Sequence, residues 1–400
     1  MGVTEQGLLE RDKDTMTLNM GPQHPSTHGV FRMILEMDGE IVRTSEPDIG
    51  FLHTGIEKTA EDKRYGHCIP MTDRLDYLSP PQNNLAFCLT VERLLGLQEL
   101  PARADYLRVI MCELGRIGSH LVWLGTHALD IGAMTVFLYA WREREMILDL
   151  NEMISGVRMM TSYIRIGGVA QDSTPQWLDG VRKFVDHVPS KIDEYESLLT
   201  NNPIWLDRTR GIGTMSKEEA INWSMSGPVL RASGLDWDWR KKRPYSRYEE
   251  FKFDIPTQDH GDIYDRYLVR IEEMRQSREI IKQALDNLPD GPYKIKDNKV
   301  SLPPRDTLHT SMESLIHHFK LVSDGIEVPK GSAYVPTEGP RGEVGFYIVS
   351  DGSNTPYRMK LRAPSFMGIP GMCKMMEGAF IADVVAIIGS IDIVMGEVDR

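Results

Sequence analysis

The amino-acid sequence predicts an α+β protein: a small N-terminal antiparallel sheet, a central helical bundle, and a C-terminal region of turns and short strands with a buried end. Three observations carry this. Thr15–Met20, Val30–Met37 and Glu40–Thr44 alternate apolar and polar residues, and Asp38-Gly39 is a strong hairpin signal between the last two. An apolar stretch with helical spacing runs from Pro101 to about Ala133 and resumes through Leu150. Past Pro289 turns and short strands dominate, as in Val344–Val349 before Asp351-Gly352. The regions so expected are 1–66, 67–300 and 301–400.

The first two strands are joined by G-P-Q-H-P-S-T-H-G, Gly21–Gly29. Proline fixes φ and glycine admits φ > 0, so His24 and His28 sit on a loop shaped by its own backbone. The next stretch, D-I-G-F-L-H-T-G-I-E-K (Asp48–Lys58), is punctuated by glycine and leads into a charged helical piece, Glu57–Arg64. Pro70–Pro81 breaks the pattern and brings Arg74, Asp76 and Tyr77 close together. Leu75 and Leu78 flank Tyr77, so on local pattern alone it reads as a core aromatic. Leu85–Gly96 then reads as helix.

Within the helix that starts at Pro101, Glu113, Arg116, His120, His127 and Asp130 fall in a fan of about 100°. The remaining faces are apolar, which marks a buried helix, and buried ionisable groups must be paired or hydrogen-bonded. The stripe is therefore either a structural ion-pair network or a proton path. Y-I-R-I-G-G (Tyr163–Gly168) closes this part, and Pro175–Leu199 and Ile263–Leu288 are amphipathic helices. Arg240–Arg243 is the one basic run, a solvated face or a contact with an acidic neighbour. Met367, Met372, Met375 and Met376 read as adaptable core filling. Asp383 and Asp392 interrupt the longest apolar run, Gly378–Gly396, which makes it a buried segment rather than a membrane span.

A formal charge of -12 argues against nucleic acid as a partner. Met1–Asp14 has no apolar segment of the kind a secretory signal needs, so the expectation is a chain that begins in the cytoplasm. The four cysteines, Cys68, Cys88, Cys112 and Cys373, form no C-x-x-C pair, which argues against a structural zinc or a cluster held wholly by this chain. No G-x-G-x-x-G follows a strand, and neither a Walker loop nor G-x-S-x-G occurs.

Taken together, G-P-Q-H-P-S-T-H-G, F-L-H-T-G-I-E-K, the Arg74–Tyr77 segment, F-L-Y-A-W-R-E-R-E, Y-I-R-I-G-G, L-R-A-S-G, S-D-G-S-N-T-P-Y-R and the terminal G-E-V-D-R are specific. From about Thr15 to Arg400 the chain closely resembles the quinone-site subunit of the peripheral arm of respiratory complex I, the 49-kDa or D-type subunit of bacterial NADH:quinone oxidoreductase. That family is distantly related to the large subunit of [NiFe]-hydrogenases, whose metal is held by two C-x-x-C pairs. Here Val394 and Glu397 stand where the C-terminal thiolates would be, so hydrogenase activity is not expected.

The resemblance implies a [NiFe]-hydrogenase large-subunit-like fold and a quinone headgroup bound beside a neighbouring subunit that holds a [4Fe-4S] cluster. It implies His28 and Tyr77 as headgroup ligands, with Asp130 paired to His28. It implies other complex I subunits as partners: the cluster-bearing B-type subunit, the C-type subunit and the H-type subunit of the membrane arm. The location implied is peripheral, on the cytoplasmic side of the cell membrane, with no transmembrane segment of its own. One residue departs from the pattern: many members have a histidine four residues after the glycine that precedes Y-I-R-x-G-G, and this chain has Met160 there. That implies a lower-potential cluster and favours a low-potential quinone such as menaquinone. Two alternatives stay open: the same quinone role with ferredoxin or reduced deazaflavin as donor, or a scaffold without quinone chemistry.

Overall fold

The computed structural model describes residues 15–27, 29–97 and 99–400. Strands β1 (Met16–Met20), β2 (Arg32–Asp38) and β3 (Ile41–Asp48) form the N-terminal antiparallel meander. Met16 pairs with Met37 and Asp38 with Ile41, so the tight turn is Gly39-Glu40, one residue later than the Asp-Gly signal suggested. Gly39 takes the φ of +61° that the turn requires. Met33, Leu35 and Met37 point to one buried face of β2, as the alternation predicts.

Helix α1 (Ile56–Glu61) takes up most of the charged helical piece expected at Glu57–Arg64, and α2 (Tyr65–Thr72) follows it. Next, α3 spans Pro80–Leu94. It starts at the proline pair rather than at Leu85, because the first turn of a helix needs no N–H donors. The long apolar stretch is two helices, α4 (Ala102–Asp130) and α5 (Met134–Ser155), broken at Gly132 with φ +105°. Bare glycines allow α4 and α5 to pack closely: a Cβ on Gly125 would lie 3.3 Å from Phe137 Cα. Around this pair stand the short β4–β5 hairpin (Ile164–Arg165, Gly168–Val169), α6 (Pro175–Leu199), α7 (Pro203–Thr209), α8 (Lys217–Asn222), α9 (Gly227–Ala232) and α10 (Trp239–Lys242). The long α11 (Ile263–Asp286) completes the bundle against α4 and α6.

After α12 (Met312–Ser323) a second antiparallel meander follows, β6 (Gly331–Gly339), β7 (Gly342–Ser350) and β8 (Arg358–Arg362). The chain then turns helical again through α13 (Pro364–Met376), α14 (Ile381–Ile391) and α15 (Met395–Asp399). The methionine-rich stretch is α13, where Met372 and Met376 are fully buried. These last helices share a core with Met33, Leu35, Met37 and Val42 of the first sheet. The outer edge of β3 is covered as well: Val42 N–H donates to Ala379 O at 2.9 Å and Gly378 N–H to Val42 O at 2.8 Å. Among the described residues no helix is long and apolar enough to cross a membrane.

Candidate functional site

His28 lies outside the described residues, so its expected pairing with Asp130 is followed through the rest of its loop. Pro25–Thr27 forms one 3-10 turn, closed by Thr27 N–H donating to His24 O at 3.1 Å. Ser26 N–H donates to His24 Nδ1 at 3.2 Å, so that imidazole belongs to the turn. Asp130, the last residue of α4, accepts a hydrogen bond from Ser26 Oγ at 3.2 Å. Burial raises the Asp130 carboxyl above its ordinary range, against the opposing pull of Ser26 and of His24. The end of α4 and the histidine loop are thus one unit.

Tyr77 is half-buried, and burial raises its phenol above the ordinary value. It borders a cavity of about 20 Å³, room for a single water, together with Gly115 and Gly118 of α4 and with Met159, Met160 and Thr161. Asp73 ties these walls together, accepting Ser162 N–H at 3.1 Å and Asn84 Nδ2–H at 2.7 Å. Met160 itself holds φ +55°, a left-handed conformation that is unfavourable for a side chain of its size. The residue singled out as a departure therefore faces the same small space as Tyr77. No hydrogen bond joins Tyr77 to Asp130 among the described residues.

Behind Tyr77 lies a cluster that sequence reasoning missed. Arg341 occupies the two-residue turn between β6 and β7, where Gly339 pairs with Gly342. Its Nη1 meets Asp76 Oδ2 at 2.7 Å and its Nη2 meets Asp392 Oδ1 at 3.3 Å, all three side chains being buried. Asp76 also accepts the Leu78 and Ser79 N–H groups at 3.1 and 3.2 Å, closing the turn that leads into α3. Glu397 accepts Ser365 Oγ–H at 2.9 Å, and burial with the nearby Asp76 charge pushes it up to about 7. Burial likewise pushes Asp392 up to about 6. The available sequence signal was an arginine in a glycine-bounded turn and two acids in an apolar run, each needing a partner of opposite charge.

The C-terminal motif closes the arrangement. Asp399 accepts Gly50 and Leu52 N–H groups at 2.8 and 2.6 Å, and its backbone oxygen lies 2.5 Å from His53 Nδ1. Arg400 Nε stands 3.2 Å from Glu57 Oε1. A Cβ on Gly396 would be 2.6 Å from the Arg74 and Leu75 carbonyl oxygens, so α15 lies directly on the backbone that carries Tyr77. Motifs hundreds of residues apart in sequence meet around one place.

The α4 stripe is buried through His127 but does not form one hydrogen-bonded line. Glu113 accepts from Arg116 Nε and Arg240 Nη1, each at 3.1 Å, and from Tyr248 and Ser277 hydroxyls at 2.6 Å. His120 Nε2 lies 2.8 Å from Glu273, which also binds Arg231, and Arg231 reaches Glu338 at 2.8 Å. His127 sits between Trp123 and Trp205, and neither ring nitrogen has a hydrogen-bond partner among the described residues. Burial pushes His120 down to about 4 and His127 to about 3, leaving both imidazoles neutral. The network leaves α4 sideways, toward α9, α11 and β6, and stops short of Asp130. Among the described residues no group of three His, Cys, Asp or Glu side chains is placed to hold a metal ion.

A family model described as the respiratory-chain NADH dehydrogenase 49 Kd subunit matches residues 130–400. Three curated relatives are D-type subunits of NADH-quinone oxidoreductase. The one numbered 2 in Koribacter versatilis is 56% identical over 98% of this chain and 98% of its own length. The one numbered 2 in a Roseiflexus species is 56% identical over 98% of this chain and 94% of its own, and that of Geobacter sulfurreducens 53% over 97% and 99%. On the match over more than half of the chain and on near full-length identity above one half, the chain belongs to the family of the 49-kDa subunit of respiratory-chain NADH dehydrogenase.

Proposed function

We propose that this chain is the quinone-site subunit of an NADH:quinone oxidoreductase, holding the headgroup at its boundary with a cluster-bearing subunit. His28 and Tyr77 are the headgroup ligands in this reading and Asp130 is the partner of His28. The observation that carries it is the contact between Asp130 and the histidine loop, Ser26 Oγ to Asp130 Oδ1 at 3.2 Å. It supports an acid–imidazole unit at the place where the family resemblance puts one. The 20 Å³ cavity at Tyr77 is too small for a quinone ring, which supports a headgroup space completed by a second subunit.

Reduction of a quinone to a quinol takes two electrons and two protons, and each carbonyl oxygen gains basicity as charge arrives. Tyr77 stays neutral at pH 7 and so offers its O–H. Arg341 eases loss of that proton, while Asp76, Asp392 and Glu397 oppose it. Burial and the nearby Asp76 charge push Glu397 up to about 7 in the same cluster. In this reading a half-buried Asp130 favours imidazolium beside it and is left facing an uncompensated charge once that proton goes. That imbalance is a means of passing the event onward to proton translocation. The B-type, C-type and H-type subunits are the neighbours this reading requires, on the cytoplasmic side of the cell membrane. The relatives' names, which specify NADH and quinone, do not favour a ferredoxin or deazaflavin donor or a scaffold.

The test is NADH-driven, inhibitor-sensitive quinone reduction in membranes carrying Tyr77→Phe, with NADH oxidation by an artificial acceptor as the assembly control. A fall of at least about tenfold, roughly 1.4 kcal/mol of barrier, at normal assembly is expected. Unchanged quinone reduction would leave Tyr77 a core aromatic. An Asp130→Asn assembly should reduce quinone with diminished proton pumping, and full pumping would remove Asp130 from the coupling step.

A further inference from the structure

Away from this site, a half-open cavity of about 480 Å³ lies where α2, the β4–β5 hairpin, the loop at 294–302 and α12 meet. That is the size of a ligand pocket. Its walls are apolar, with Ile69, Ile166 and Val169 buried at the back. Its charged lining is basic: Arg64, Arg165 and Lys294, with His67 beside them. The chain as a whole carries 58 acids against 46 Lys and Arg, so a lining without a carboxylate runs against its composition.

None of these cations is ion-paired among the described residues. Arg64 Nη1 donates to Val322 O at 3.3 Å and Lys294 Nζ to Leu302 O at 2.7 Å, both of them neutral acceptors. Arg165 projects into solvent at the rim. Burial lowers the Lys294 ammonium from its ordinary value with no acid to offset it.

The cavity mouth continues onto α12, which contributes Leu321 and Val322 to it. Met312, Leu315, Ile316, Phe319 and Val322 fall within about 120° of that helix and all are exposed, Met312 and Phe319 at 73% and 69%. A three-turn apolar stripe facing water is a docking face. A small amphipathic anion would satisfy the cavity but leave the stripe uncovered. A protein segment satisfies both.

We propose that the α12 stripe and the basic cavity together receive a segment of an adjoining subunit, apolar along one side and carrying Asp or Glu side chains that enter the cavity toward Arg64, Arg165 and Lys294. The proposal rests on the chain working inside a multisubunit assembly and is independent of the quinone chemistry. Charge complementarity sets the polarity of the partner, and the continuity of stripe and cavity sets its length at two or more helical turns or an equivalent strand.

The test uses the purified assembled complex. Carbodiimide, which joins an ammonium to a touching carboxylate without a spacer, should link Lys294 to an Asp or Glu of another subunit, and a benzophenone side chain at position 319 should label the same segment. Arg165→Glu with Lys294→Glu should cut recovery of the assembled complex at least fivefold, and Arg165→Lys with Lys294→Arg should restore it. Lys294 linked only within its own chain or to a second copy, a label found only on lipid, or wild-type recovery of the charge-reversed complex would each overturn the proposal. Because none of these readouts is quinone reduction, a negative result here leaves the Tyr77 test standing.

Discussion

Arg341 faces two buried carboxylates, and Glu397 is a third within the same burial. Arg341, with Arg270 also acting on Asp392, faces these three carboxylates, and burial together with the Asp76 charge pushes Glu397 up to about 7. A carboxyl raised in this way binds its proton more tightly in the fold than in the unfolded chain. Its contribution to stability is complete below its ordinary 4.5 and is lost as pH rises through about 7. Infrared titration of the assembled complex should therefore show a protonated carboxyl band disappearing around pH 7, reduced in Glu397→Gln. A band unaltered by that change would assign the proton elsewhere, with Glu338, also pushed to about 7, as the next candidate. Family motifs in the sequence single out Tyr77 and Asp130, and the Ser26–Asp130 contact fits the expectation for Asp130. The Arg341 cluster was not legible in the sequence, because Asp76 and its guanidinium are 265 residues apart and no local pattern couples them.

At the scale of elements, α15 is only five residues long yet holds two loops in place. Its Gly396 lies on the Arg74 and Leu75 carbonyls, and its Asp399 binds the backbone at Gly50 and Leu52. Gly396→Ala forces a methyl into that contact at a cost of about 1–3 kcal/mol. The expected outcome is a displaced Tyr77 segment: quinone reduction down about tenfold or more, with NADH oxidation by an artificial acceptor retained. Normal quinone reduction in Gly396→Ala would mean that α15 does not position Tyr77. The first meander and the long helices were readable because their periods, 2 and 3.6, are local properties. The start of α3 at Pro80 and the helical α13 were not, since proline and methionine there look like punctuation and filler until their neighbours are known. The ionisable stripe on α4 was found from its spacing, but the helices that divert its bonds toward α9 and α11 lie beyond the reach of that spacing.

Over the whole molecule, the first strands and the last helices form one core, and the edge of β3 is closed by backbone at 378–381. An uncovered edge is a template for aggregation. Deleting residues 378–400 should therefore leave an aggregated chain that does not enter the assembly, measured as loss of the chain from membranes and of NADH-driven quinone reduction. Recovery of an assembled complex with that deletion would show the edge cover to be dispensable. The α+β class was legible from period and composition. The joining of the two ends was not, because the hydrogen bond from Gly378 N–H to Val42 O leaves no trace in either segment taken alone.

The pairing of Asp76 with Arg341 also sets a timetable. A ribosome adds roughly 5–20 residues per second, so 265 residues separate synthesis of the acid from synthesis of its cation by roughly 13 to 53 s. During that interval the Tyr77 segment has neither Arg341 nor α15 to hold it. That segment is therefore among the last parts of the chain to gain its ion-pair partners.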